Sequence, residues 1–228
     1  MAQIRSAAVA ARFPAGAMDP QHVASDEGAT KFSCRLRDTA PLPESDWRDL
    51  NEWRHTLAVL QVLGEDAHGV AFGNLSQRRP RTHQFIITGT QTAGLALLDE
   101  RHFAEVLSFD LERHALECRG PVLPSSEALS HAAVYESDRR VAACLHVHHA
   151  DLWHALLGKV PSTSREGGCG SLKMARDILQ LFSDARGHDD AVRVIVMGGH
   201  PDGLLFIGET LVGAGQRLLE ELQRLQAG

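Results

Sequence analysis

Val141-Ala142-Ala143-Cys144-Leu145-His146-Val147-His148 is an apolar run that ends in two histidines one residue apart. Its length and composition predict a buried β-strand. Alternate side chains of a strand point to opposite faces, so His146 and His148 share a face with Cys144, and His149 points away. Two imidazoles on one strand face make the edge of a metal site, because zinc accepts neutral imidazole nitrogen at short spacing. A histidine on a core strand also serves as simple packing, and the pair alone does not separate the two readings. Cys144, deeper in the apolar run, reads as a buried structural thiol.

The pattern continues outward on both sides. Toward the C-terminus a helix begins near Ala150, and a second covers about 171–182. Strands at 192–197 and 203–207 flank His200. A last helix starts near Glu209, with Leu211, Leu218, Leu222 and Leu225 on one stripe. Toward the N-terminus, Pro124-Ser125 introduces a helix over 126–137, and strands at 105–110 and 114–119 are joined by a tight connection. Phe85-Ile86-Ile87-Thr88 is a strand that runs into a polar loop, Gly89 to Gly94. Residues 69–76 form a short strand and turn. A helix over 45–63 carries Leu50, Trp53, Leu57, Leu60 and Leu63 at spacings of three and four, and Gly64 ends it. Helices and strands mix without strict alternation, which predicts an α/β protein whose sheet contains antiparallel pairs. Before residue 44 there is no periodic signal, and Pro14, Pro20, Pro41 and Pro43 interrupt the chain. We therefore expect an N-terminal arm over 1–43, ordered only where something holds it, and one domain over 44–228.

Bulk properties narrow the function classes. The chain has 228 residues, 43% of them hydrophobic and 23% charged, which suits one substantial soluble domain. A formal net charge of -6 without a basic stripe argues against nucleic acid. No apolar stretch is long enough to cross a bilayer, and residues 1–17 lack the apolar segment of a signal peptide. The four cysteines, Cys34, Cys118, Cys144 and Cys169, show no CxxC spacing. They read as reduced thiols of a cytoplasmic protein.

Other residues stand at element boundaries where chemistry is easily placed. His200 adds a third imidazole to His146 and His148, and three ligands with one open position are what a catalytic zinc needs. Glu127 opens a helix, where a carboxylate caps the helix or serves as an acid/base near the metal. Ser125 and Ser126, with the amides of that helix start, form an anion pocket. Gly73-Asn74-Leu75-Ser76 is a second turn able to present amides to an anion, although such turns are commonplace.

Five stretches in this order resemble the class II aldolase/adducin family: Gly69 to Ser76, Phe85 to Thr88, Pro124-Ser125-Ser126-Glu127 with His131 and Tyr135, Leu145 to His148, and His200 before an apolar strand and helix. The resemblance runs from about Trp47 to the C-terminus. It implies a three-layer α/β/α domain around a central mixed, largely antiparallel sheet, assembled as a homotetramer with sites between subunits. It also implies a divalent metal, typically Zn2+, held by His146, His148 and His200, with Glu127 as the catalytic carboxylate. Gly73, Asn74, Thr90, Ser125 and Ser126 then line the substrate's anionic end. The implied activity is a lyase that cleaves a small hydroxy-carbonyl or hydroxy-acid substrate through a metal-stabilised enediolate. Epimerases, dehydratases and decarboxylases share that intermediate, and a non-catalytic adducin-like module is a further alternative.

The chain also departs from the family pattern. Gln91 stands in the Thr88-to-Gly94 loop where a glycine would let backbone approach a phosphate, so a carboxylate or neutral polyol competes with a phosphorylated substrate. Two residues, Pro201 and Asp202, separate His200 from Gly203, where the family places glycine next to histidine. Tyr135 is the sole tyrosine, at a packing position, whereas the sugar-phosphate aldolases and the related epimerases use a tyrosine in proton transfer. The arm, with Asp26-Glu27-Gly28 and Lys31-Phe32, has no counterpart in the shortest aldolases.

Overall fold

The structure, a computed structural model, describes residues 31–185 and 192–227. Most of the arm, including Asp26-Glu27-Gly28, lies outside the described residues. Within 33–43 the chain forms β1 (Ser33–Leu36), followed by α1 (Glu44–Val59). A small hairpin, β2 (Gly64–Glu65) and β3 (Ala71–Phe72), leads into β4 (Asn74–Arg78) and β5 (Phe85–Thr88). Then come β6 (Phe103–Asp110), β7 (Ala115–Arg119), α2 (Ala128–Ser137) and β8 (Ala143–His148). The chain continues through α3 (Ala150–Leu156), α4 (Leu172–Asp184), β9 (Val194–Val196), β10 (Gly203–Gly208) and α5 (Leu211–Ala227).

Eight strands form one sheet in the order β1-β7-β6-β5-β4-β8-β10-β9. Only the β1–β7 pair is parallel. Period-2 alternation divides the apolar residues between two cores. Ile87, Val106, Cys144, Leu205 and Ile207 face α2 and α4, where Leu129, Ala133, Met174 and Ile178 meet them. Ile86, Ala143, Leu145, Val147, Leu204 and Phe206 face the other way, onto Leu50 and Leu57 of α1, Leu152 of α3 and Leu218 of α5. Helices thus cover both sheet faces, the three-layer α/β/α architecture that the patterning and the resemblance led us to expect.

Two elements differ from expectation for local reasons. Helix α1 ends at Val59, before Gly64, because Gln61 takes a left-handed conformation with φ 58°. The Leu60 and Gln61 amides bond back to the Thr56 and Ala58 carbonyls, and Leu60 is left 38% exposed instead of joining the stripe. Strand β1 arises inside the expected arm. Its register, Ser33 opposite Ala115 through Leu36 opposite Cys118, gives that segment the ladder it needs. Phe32 and Leu42, on either side of it, are buried in the two cores.

Candidate metal centre

Three antiparallel neighbours build the centre. On β8, His146 lies opposite Asn74 of β4 and Leu205 of β10, and His148 lies opposite Gly203. His200 sits in the turn before β10, which is closed by His200 N–H to the Met197 carbonyl and Gly203 N–H to the His200 carbonyl, both 3.0 Å. The inserted Pro201-Asp202 pair is absorbed by this turn, where Asp202 has φ 64°. Gly203 is needed there for space: a Cβ would lie 2.6 Å from His200 Cδ2 and 3.2 Å from His146 Cε1. The strand period therefore brings His146 and His148 to one face, and the turn folds His200 against them.

The three Nε2 atoms are 3.2 Å (His146–His200), 3.2 Å (His146–His148) and 3.1 Å (His148–His200) apart. A triangle of neutral imidazole nitrogens has too few protons to hydrogen-bond along every edge, but it suits three lone pairs converging on one cation. His146 Nδ1–H points at the Leu204 carbonyl at 3.2 Å, which assigns the proton to Nδ1 and leaves the Nε2 lone pair facing the trio. His146 and His200 are 1% and 3% exposed. Burial pushes all three imidazoles below the ordinary histidine range, His148 to about 2 and His200 well below, and the neighbouring imidazoles push these two further. All three are thus uncharged at neutral pH, the state a metal ligand needs. The donor set, its convergence and its protonation state all fit a divalent cation.

Glu127 stands at the start of α2 without capping it. Its Oε1 accepts from the Gly170 amide at 2.9 Å and its Oε2 from Ser130 Oγ at 2.5 Å. Oε1 is 3.9 Å from His200 Nε2, and the residue is 2% exposed. The simple helix-cap explanation therefore fails, and the carboxylate is aimed at the imidazoles. Gly170, with φ 59°, can approach this closely because it lacks a Cβ, which would lie 2.5 Å from the Ser126 carbonyl.

A cleft opens over these groups, and Gly73, Asn74, Thr90, Ser125, Ser126, Glu127, His146, His148 and His200 all line it. Its two loops are stitched together: Ser125 N–H donates to Thr88 O at 3.1 Å, and Thr90 N–H donates to Leu123 O at 2.9 Å. Asn74, 5% exposed, has a buried Oδ1 without a hydrogen-bond partner, a polar atom that a ligand in the cleft can satisfy. Gln91 adopts φ 57°, so the loop keeps a left-handed turn without the expected glycine.

Cys169 is the residue that sequence reasoning missed. It lines the cleft, and its Sγ lies within 4.8 Å of both a Glu127 carboxylate oxygen and a His200 ring nitrogen. Its glycine neighbours marked a tight loop but carried no ligand spacing. Cys144 is fully buried on the histidine face, with burial raising its thiol pKa, as expected of a structural thiol. His149 caps α3 through Nδ1, which accepts from Leu152 N–H at 3.2 Å.

Behind the centre, Ser76 Oγ bridges His131 Nδ1 and Tyr135 OH, both at 2.6 Å. The Arg78 guanidinium lies 4.9 Å from the Tyr135 ring centre. Tyr135 is thereby committed to the interior. Burial lowers His131 from 6.5 to about 3. Folded His131 stays neutral while the unfolded chain takes up a proton below pH 6.5, so its contribution is full above 6.5 and is lost between 6.5 and 3. We expect the urea midpoint of the metal-free protein to be level from pH 8 to 7. Below pH 6.5 stability should fall by roughly 1 kcal/mol per pH unit for each such histidine. A midpoint unchanged down to pH 5 would contradict this.

The model for the Class II Aldolase and Adducin N-terminal domain matches residues 58–224. Among solved structures, the chain is similar to a sugar-phosphate aldolase from Thermotoga maritima, with TM-score 0.61 and 14% identity over 81% of this chain and 93% of that one. It is also similar to YgbL from Escherichia coli, described by the triple label aldolase/epimerase/decarboxylase, with TM-score 0.59 and 18% identity over 81% and 88%. An L-fuculose 1-phosphate aldolase gives TM-score 0.58 and 17% identity over 81% and 84%. These likenesses speak for the fold. No curated protein matches the chain in sequence.

Proposed function

The chain belongs to the class II aldolase and adducin family, and from that premise we propose a metal-dependent lyase of the class II aldolase type. Its substrate is a small hydroxy-carbonyl or hydroxy-acid compound. The observation that carries this reading is the triangle of Nε2 atoms 3.1–3.2 Å apart, with His146 and His200 buried and a carboxylate oxygen 3.9 Å from one of them. His146, His148 and His200 would hold the divalent ion, and three imidazoles favour Zn2+. A bound cation would supply Lewis-acid stabilisation of negative charge on adjacent substrate oxygens. Glu127, oriented by the Gly170 amide and Ser130, moves the proton that the reaction requires. Asn74, Thr90, Ser125 and Ser126, with the Gly73 turn, hold the polar or anionic end of the substrate.

Epimerisation, dehydration and decarboxylation use the same charge distribution. These form the second reading; the sole tyrosine, buried against Ser76, is withdrawn from the cleft and from the proton transfer that sugar-phosphate aldolases and the related epimerases give to a tyrosine. A non-catalytic adducin-like role is disfavoured by the intact histidine trio and Glu127. We further propose a cytoplasmic homotetramer, which the family resemblance implies. No nucleic-acid or membrane partner is proposed, and among the described residues no helix is long and apolar enough to cross a membrane.

The test is a panel of hydroxy-ketones and hydroxy-acids, with phosphorylated and unphosphorylated members side by side, assayed with Zn2+-loaded protein. We expect cleavage of at least one member, lost on chelation and restored by Zn2+. Fully loaded protein that turns over no member would contradict the lyase reading.

A further inference from the structure

Cys34 of β1 and Cys118 of β7 meet across the parallel ladder, their sulfurs 2.9 Å apart although they stand 84 positions apart in sequence. Cys34 lies opposite Leu116, and Leu36 opposite Cys118, so the two thiols share one sheet face, turned to the core that holds Phe32 and Leu116. On the other face the alternate residues Arg35 and Glu117 pair at 3.5 Å. Cys118 is fully buried, whereas Cys34 is only partly so. The contact between the sulfurs raises the Cys34 thiol pKa and lowers that of Cys118, which makes Cys118 the more readily ionised of the two. A disulfide holds its sulfurs about 2.05 Å apart, so closure asks the two side chains to approach by about 0.9 Å.

We propose that Cys34 and Cys118 are a reversible oxidation site, where a small-molecule disulfide such as glutathione disulfide drives formation of an intrachain disulfide that fastens β1 to β7. Cys34, the accessible thiol, loses its proton and attacks one sulfur of the small disulfide; that S–S bond breaks, and the departing thiolate takes up the proton. Cys118 then loses its proton and attacks Cys34 Sγ, expelling the second small thiolate, which takes up that proton. Two protein thiols are oxidised and one small disulfide is reduced to two thiols. In a reducing compartment both cysteines stay as thiols, and the bond forms as the surroundings become oxidising. Strand β1 is a four-residue edge strand, tied at its ends by Ser33 N–H to His114 O and Arg37 N–H to Cys118 O. Lys31, three positions before Cys34, holds the Cys169 carbonyl at 2.7 Å, and the neighbouring Gly170 amide holds Glu127. The crosslink therefore anchors the segment that braces a loop of the cleft. The chemistry of the pair is the same whether or not the histidine trio holds a cation.

The test incubates the full-length protein with increasing ratios of glutathione disulfide to glutathione, quenches with acid and maps every cysteine by alkylation and peptide mass spectrometry. In the wild type the Cys34 and Cys118 peptides should become linked, with loss of two hydrogen masses, and dithiothreitol should release them. Cys118→Ser should instead stop at the mixed disulfide, with one glutathione on Cys34, because the resolving sulfur is gone. Amide hydrogen exchange over 33–37 should slow by at least about tenfold in the crosslinked protein, since local opening of β1 is barred. Wild type in which Cys34 and Cys118 stay free, or carry glutathione without linking, in excess glutathione disulfide would overturn the assignment. A crosslink from Cys34 to another cysteine would overturn it too. Unchanged exchange over 33–37 in the linked protein would overturn the fastening of β1. Should Cys118→Ser fail to fold, the wild-type map and exchange decide.

Discussion

His146→Ala is expected to lower divalent-metal affinity and turnover each by at least about 1000-fold, because one of three converging nitrogens disappears. Lewis-acid stabilisation is worth several kcal/mol at the transition state, and each 1.36 kcal/mol is a factor of ten. His146 is the variant of choice because its tautomer is assigned by the Leu204 carbonyl and its ring is almost fully buried. The fold should survive, since Leu145 and Val147 keep β8 anchored in the opposite core. Competition with a chromogenic chelator measures the affinity, and circular dichroism checks the fold. A folded variant that binds zinc as tightly as the wild type would show that the trio is ordinary packing.

Glu127→Gln is expected to reduce turnover by about 100- to 10,000-fold, the range of a lost general acid–base group, while the protein keeps its metal. The amide is nearly isosteric, and its carbonyl oxygen can still accept from Gly170 N–H or Ser130 Oγ. Structure around the cleft should therefore persist while the proton carrier is gone. Metal content and turnover measured on the same preparation separate the roles. Unchanged turnover would assign the proton to another group; full metal loss would make Glu127 mainly a ligand.

The residues differ in how openly they announced these roles. His146 and His148 were legible because strand periodicity and a two-residue spacing put both on one face, and β8 has that periodicity. The two cores were legible for the same reason in β8 and β10, where alternate residues face opposite helices. The parallel pairing of β1 with β7 was not, because Ser33 and Ala115 are distant in sequence and no local pattern marks the match. The end of α1 escaped because Gln61, not a glycine, takes the left-handed conformation. Glu127 looked the same whether it capped a helix or faced a cleft, and its bonds to Gly170 and Ser130 set the cap aside. Cys169 reaches the site through a loop whose path depends on contacts with Glu127 and Lys31, neither of them near in sequence.

The central claim is that this chain holds a divalent ion between His146, His148 and His200. It is tested most directly by metal content after purification without chelators, with Zn2+ then titrated into the metal-free protein. The account predicts about one ion per chain as isolated, and stoichiometric reloading. Folded protein that carries no metal and takes up none would contradict it.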